Sequence, residues 1–270
     1  MRKIHILGFV LLALTVVAMP STSSAQISVG IAVHLGPPAL PVYEQPLCPA
    51  AGYLWTPGYW AYGADGYYWV PGTWAQPPEV GLLWTPGYWG WGSGGYFWHT
   101  GYWGAHVGFY GGINYGFGYG GVGFVGGRWD HGVFAYNTAV MRVDTRVIHT
   151  TYVDRTVVRN VSVNRVSFNG GRGGVEARPT HEELAVEHEH HFARTAVQTE
   201  HQHSASTNRE LRSSVNHGRP AVAATARPGE FSGHANAGAE SGRTDRPPNA
   251  ANEHRNAAAE SHGNDRPASR

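Results

Sequence analysis

The chain has 270 residues, only 14% of them charged, a net charge of +1 at neutral pH and one cysteine. That charge carries no field on the scale nucleic-acid binding needs, so no nucleic-acid partner is expected. The lone Cys48 excludes an internal disulfide framework and any multi-cysteine metal site.

Residues 1–25 read as a signal peptide. Arg2 and Lys3 form a positive start, Ile6–Met19 an apolar stretch, and Ser23-Ser24-Ala25 a small-residue cleavage site. The apolar stretch is shorter than the ~20 residues needed to span a bilayer, so cleavage rather than anchoring is expected. Export is therefore expected. Residues 26–50 form a Pro-rich lead-in with one alternating strand at Ile27–Leu35.

Residues 51–103 are an internal repeat. The pattern W-x-x-G-x-W occurs as Trp55, Gly58, Trp60; Trp69, Gly72, Trp74; Trp84, Gly87, Trp89; and Trp98, Gly101, Trp103. A longer unit of 29 residues maps Trp55 onto Trp84 and Trp74 onto Trp103 without a gap. Aromatic and β-branched residues favour a half-buried pleated surface. The Pro-Gly pairs suit either a tight turn, with glycine at positive φ, or a bulge in a bent strand. Tyr62–Gly66 and Trp91–Gly95 read as hairpin loops. Each unit is therefore expected to be one hairpin carrying two motif copies, and the pair to form a meander of about four short strands.

Residues 104–127 hold Gly at alternate positions around Tyr115, Phe117 and Tyr119, which in a strand sets aromatics on one face and a bare stripe on the other. The Trp rings of the repeat are the layer expected against that stripe. Residues 128–169 are rich in Val, Thr, Asn and Arg and predict two or three long strands with wet faces. Residues 170–218 are His- and Glu-rich. Thr180-His-Glu-Glu183 and Thr207-Asn-Arg-Glu210 are capping boxes, the first predicting a helix over 181–198. Residues 219–270 have almost no bulky apolar side chain and predict a disordered tail. The fold class is all-β: an aromatic, Gly-rich antiparallel sheet or small sandwich built from hairpin repeats, then a short helical segment and the tail.

With its four motif copies, the chain resembles the bacterial WxxGxW-repeat family, also called YxWGxW-repeat proteins, over 52–103. His106-Val-Gly-Phe-Tyr-Gly-Gly112 and Gly126-Gly-Arg-Trp129 are similar to its longer members across Gly104–Phe168. The resemblance implies an exported protein of the periplasm or cell envelope of a bacterium and offers no active site to carry over. The fourth copy has His99-Thr100 in place of an x-Pro pair.

Two constellations could carry chemistry. His188, His190, His191, His201 and His203 lie among glutamates; on one helix His188 and His191 share a face, as do Glu187 and His191, and such ligands suit Zn, Cu or Ni. A solvated polar helix explains them as well, and no cofactor is otherwise expected. Tyr59, Tyr88 and Tyr102, each between Gly and Trp, could form a platform for cell-wall polysaccharide such as peptidoglycan, or for another envelope protein. The motif Trp residues are expected to pack as core. No paired carboxylates, nucleophile arrangement or phosphate loop stands out, so the expected role is structural or interactive and not enzymatic.

Overall fold

The computed structural model describes residues 33–158 and 164–231. The expected signal peptide, most of the Ile27–Leu35 strand and the tail beyond 231 lie outside these residues. The fold is all-β in its main part. In the first repeat, β1 (Leu54–Thr56) pairs antiparallel with β4 (Gly72–Ala75), and β2 (Tyr59–Gly63) with β3 (Gly66–Val70). In the second, β5 (Leu83–Thr85) pairs with β8 (Tyr102–Gly104), and β6 (Tyr88–Gly92) with β7 (Gly95–His99). Each unit is thus one hairpin, as expected, but both of its arms are broken in the middle, which gives eight short strands instead of four.

The break explains the motif. Thr56↔Thr73 precedes it and Tyr59↔Val70 follows it, so the register runs through with no inserted residue. The motif glycines have no positive φ, so they are not turn residues, and a bulge would need an extra residue on one strand. What each glycine permits is close approach. A Cβ on Gly72 would lie 2.5 Å from the ring of Trp55, and one on Gly101 2.6 Å from that of Trp84. Gly58 lies likewise against Trp69, and Gly87 against Trp98. The first Trp of each copy covers the glycine of the copy it pairs with. Its ring also meets the last Trp of that copy across the strands, in four pairs with centroids 5.1–5.5 Å apart. The fourth copy breaks at Thr100-Gly101 in the same way without proline, so glycine is the essential element.

Ala64-Asp65 and Ser93-Gly94 close the hairpins where loops were expected. Ser93 (φ 49°) and Gly94 (φ 84°) are both left-handed, the pairing that matches strand twist in a two-residue loop.

The glycine-rich segment is not one alternating strand. It folds into β9 (Asn114–Gly116) and β10 (Tyr119–Gly120), joined by a tight turn in which Gly116, Phe117 and Gly118 all have positive φ. Its glycines here serve the turn. Its aromatics do face the repeat: Phe117 packs edge-on to Trp55 at 5.8 Å, and the Tyr119 hydroxyl donates to the Trp84 carbonyl at 2.9 Å.

The next region holds short strands where long ones were expected: β11 (Gly127–Asp130), β12 (Val133–Asn137), β13 (Thr151–Tyr152) and β14 (Phe168–Asn169). Propensity alone does not extend a strand that has no partner edge. Val147 and Val153 stay exposed, while the buried Asn137 amide ties the irregular chain to Val125, Ala139 and Asp154. Residues 159–163 lie outside the described set.

The C-terminal part is α1 (His181–Val186), α2 (Ala196–Thr207), α3 (Ser213–Asn216) and β15 (Ala224–Thr225). The Thr180 capping box forms as expected. The single helix over 181–198 does not: α1 stops at Val186 and α2 starts from a second capping box, Thr195 with Gln198. Thr207 ends α2 instead of opening a helix, and Asn208 caps the next turn, Arg209–Leu211. The tail expected to be disordered from 219 is built into the fold as far as 231. Small residues suffice there because β15 adds parallel to β4, and Ala223 and Ala224 are fully buried. β14 adds in the same way to β6. These additions satisfy hairpin edges that would otherwise offer unpaired backbone groups. Among the described residues no helix is long and apolar enough to cross a membrane.

Candidate functional site

Seven of the eight motif Trp residues are buried, and Trp98 is partly buried. A buried indole N–H favours an acceptor; Trp55 has none, Trp89 uses the Trp60 carbonyl, and four others find theirs in the segments packed around the repeat. Trp60 and Trp74 donate to the lead-in carbonyls of Ala39 (3.1 Å) and Pro46 (2.9 Å). Trp69 reaches the Ala223 carbonyl at 3.0 Å, and Trp103 the Gln198 side chain at 2.8 Å. The motif Trp residues therefore act as core and as docking points for the flanking chain.

The three Tyr residues proposed as a platform are half-buried, and each ring already has an aromatic neighbour on its face. Tyr59 stacks on Trp98 of the next unit at 4.9 Å, and its hydroxyl donates to Gln202 and accepts from Arg194. It lines a cavity of only about 10 Å³, which would admit one water but no sugar ring. Tyr88 stacks on His99 at 4.3 Å with Phe109 edge-on, and Tyr102 stacks on His191 at 3.8 Å. Burial pushes the Tyr59 and Tyr88 phenols up to about 12, and raises Tyr102 as well. The exposed aromatics lie elsewhere, at the hairpin tips: Tyr62 is 40% and Trp91 43% exposed, and they are the same position of the two units.

The His residues do not converge. The break between α1 and α2 sends His191 onto Tyr102 and His190 onto Phe192. His201 is buried between the Pro71 carbonyl (2.8 Å) and the Gly229 N–H (2.9 Å), where burial lowers its pKa. His188 follows the end of α1, and His203 is on α2. Among the described residues no group of three or more His, Cys, Asp or Glu is placed to hold a metal ion.

An open groove of about 660 Å³ lies between β5, the glycine-rich segment and α1. Glu182, Glu183 and Glu189 line it together with His106, which bonds Glu189 at 2.8 Å. Glu183 is 3% exposed, and its Oε1 has no partner.

The paired hairpins, each with Trp over the partner's glycine, correspond to a known repeat, WXXGXW, matched at residues 51–75 and 80–103. The chain carries two WXXGXW repeats. No curated protein and no solved structure matches it.

Each WXXGXW repeat spans a pair of motif copies, because a copy is complete only when its partner supplies the glycine. The acidic groove beside the second WXXGXW repeat was not foreseen from sequence. The one local signal was the Thr180–Glu183 capping box, which holds one Glu183 oxygen and leaves the other free.

Proposed function

We propose that the protein is an exported bacterial cell-envelope protein with a non-enzymatic, structural role, in which the WXXGXW repeats form a rigid aromatic scaffold that organises the flanking chain. The burial of the motif Trp residues, with indole N–H groups donated to the lead-in and the C-terminal segment, carries this reading. Acrylamide quenching of Trp fluorescence tests it. Most of the emission should be shielded in the native protein and become accessible on denaturation; uniform access in the native state would overturn the scaffold. Export is tested by fractionating a bacterial host and reading the mature N-terminus, expected at Gln26.

A second reading has one observation in its favour. Tyr62 and Trp91 repeat an exposed aromatic at the two hairpin tips. If the repeats also bind cell-wall polysaccharide, these residues are better placed than Tyr59, Tyr88 and Tyr102. A pull-down on insoluble peptidoglycan, lost on Tyr62→Ala with Trp91→Ala and kept on Tyr59→Phe, would support it.

A further inference from the structure

The Pro-rich lead-in is held on the repeat in the way a peptide ligand is held by a receptor. Residues 36–49 belong to no helix or strand. Prolines recur three apart at Pro38 and Pro41 and again at Pro46 and Pro49, and buried side chains do the same at Pro37 and Leu40 and at Gln45 and Cys48. Three residues per turn is the polyproline II period, and that backbone has no internal hydrogen bonds, so its carbonyls need outside donors. Aromatic side chains of the first repeat supply them. Trp60, Trp74 and Tyr67 donate to the carbonyls of Ala39 (3.1 Å), Pro46 (2.9 Å) and Leu35 (2.7 Å). Gly36 passes so close to the Tyr96 ring that a Cβ there would lie 3.3 Å from it. Leu35, Val42 and Leu47 are left outside, 75%, 63% and 47% exposed. The surface therefore reads the carbonyl row and the proline frame, and not these side chains.

We infer that the aromatic donors of the first repeat form a recognition surface for a proline-rich extended segment, and that its partner in trans is the lead-in of a second copy of this chain. Aromatic-lined surfaces bind polyproline II segments because the ligand is already extended and loses little entropy on docking. The lead-in is the segment whose carbonyls match these donors, and a second copy carries the same one. An exchanged pair would keep the same hydrogen bonds, so only the connection between lead-in and β1 sets the balance. That connection turns at Ala50–Gly52, with Gly52 at φ 83°. The tether holds a chain's own lead-in at an effective concentration on the order of millimolar, so the parent chain keeps its own at lower protein concentration. The inference rests on the scaffold reading, which supplies the fixed donors.

Deleting Ala50 and Ala51 from the full chain tests the inference by light scattering. A shortened turn strains the docking of a chain's own lead-in, and an open connection to a second copy relieves the strain. At micromolar concentration the parent should be a monomer and the deletion variant a dimer with its Trp emission still shielded. A free peptide of residues 33–49 should return the dimer to monomer, and the same peptide with Leu35, Val42 and Leu47 changed to Ser should do so equally well. Trp60→Phe with Trp74→Phe keeps both rings and removes two donors, so the dimer should weaken about tenfold or more. A second variant covers loss of folding in the deletion. A protease site inserted between the exposed Ala50 and Ala51 is cut after folding, and the cut protein should exchange its lead-in for labelled 33–49 peptide. A folded monomer in the deletion variant, a dimer that the peptide or the Trp changes leave intact, or a cut protein that takes up no peptide would each overturn the inference. Trp emission that stays shielded in those cases leaves the scaffold standing; native Trp open to quencher removes both.

Discussion

The indole N–H of Trp89 donates to the main-chain carbonyl of Trp60 over 2.7 Å, and the two residues occupy the same position of consecutive repeats. The second repeat therefore docks on the first through its own equivalent residue. Trp60 in turn donates to Ala39, so the Pro-rich lead-in takes, against the first repeat, the place that the first repeat takes against the second. The lead-in caps the stack, and the Tyr119 hydroxyl ties the second repeat to the glycine-rich segment.

This contact has a matched control. Trp89→Phe keeps an aromatic ring and loses the N–H donor. Trp55→Phe makes the same change at an indole whose buried nitrogen has no acceptor. Both variants lose similar packing, so the hydrogen bond should appear as an additional destabilisation of about 1–2 kcal/mol in Trp89→Phe. Urea unfolding of the two proteins measures the difference; equal midpoints would show that the inter-repeat bond contributes nothing.

The motif glycines should be intolerant for steric reasons. Gly58→Ala would force a Cβ against the Trp69 ring and to within 2.8 Å of the Gly72 nitrogen. Backbone cannot yield cheaply there, and a loss of ~3 kcal/mol or more is expected. Gly92→Ala, with open space around its Cβ and no positive φ, should stay within about 0.5 kcal/mol of the parent. Thermal unfolding of the two variants separates a packing requirement from a general need for glycine.

Stability should fall in alkali. Burial raises the Cys48 thiol from 9 to about 11, and the Tyr59 and Tyr88 phenols from 10 to about 12. A group whose folded pKa lies above its unfolded value supports the fold fully below the unfolded pKa and loses that support as pH rises to the folded one. The decline should begin near pH 9 and steepen from 10 to 12. Phenolate absorbance should rise together with the loss of Trp tertiary signal. Cys48 should react with a thiol reagent only after denaturation, since the thiolate is the reactive form.

His201 should make the end of the fold sensitive to acid. Its Nε2–H faces the Pro71 carbonyl, and its Nδ1 accepts the Gly229 N–H. That arrangement requires the neutral ring. The folded pKa lies below the ordinary 6.5, so the stabilisation is present above 6.5 and is lost as pH falls through the folded value. Hydrogen exchange at Gly229 should accelerate on acidification, and His201→Gln should flatten that pH dependence.

The repeat was legible in the sequence because its signal is local and periodic. Trp and Gly recur at a fixed spacing, the hairpin loops carry turn residues, and the Thr180 capping box lies within four consecutive positions. Burial of the motif Trp residues followed from the same pattern, since a β-domain poor in aliphatics must build its core from aromatics. The break in each hairpin, the docking of Trp89 on Trp60, the division of the His-rich segment into two helices and the insertion of β15 beside β4 were decided only in three dimensions. Each depends on a partner distant in the chain. Ala224 has little strand propensity of its own, and Ala224–Thr225 becomes a strand because β4 presents an open edge. Val147 and Val153 have the propensity and no edge to join. Local preference names the elements that can form; the supply of unpaired edges and buried acceptors determines which of them do.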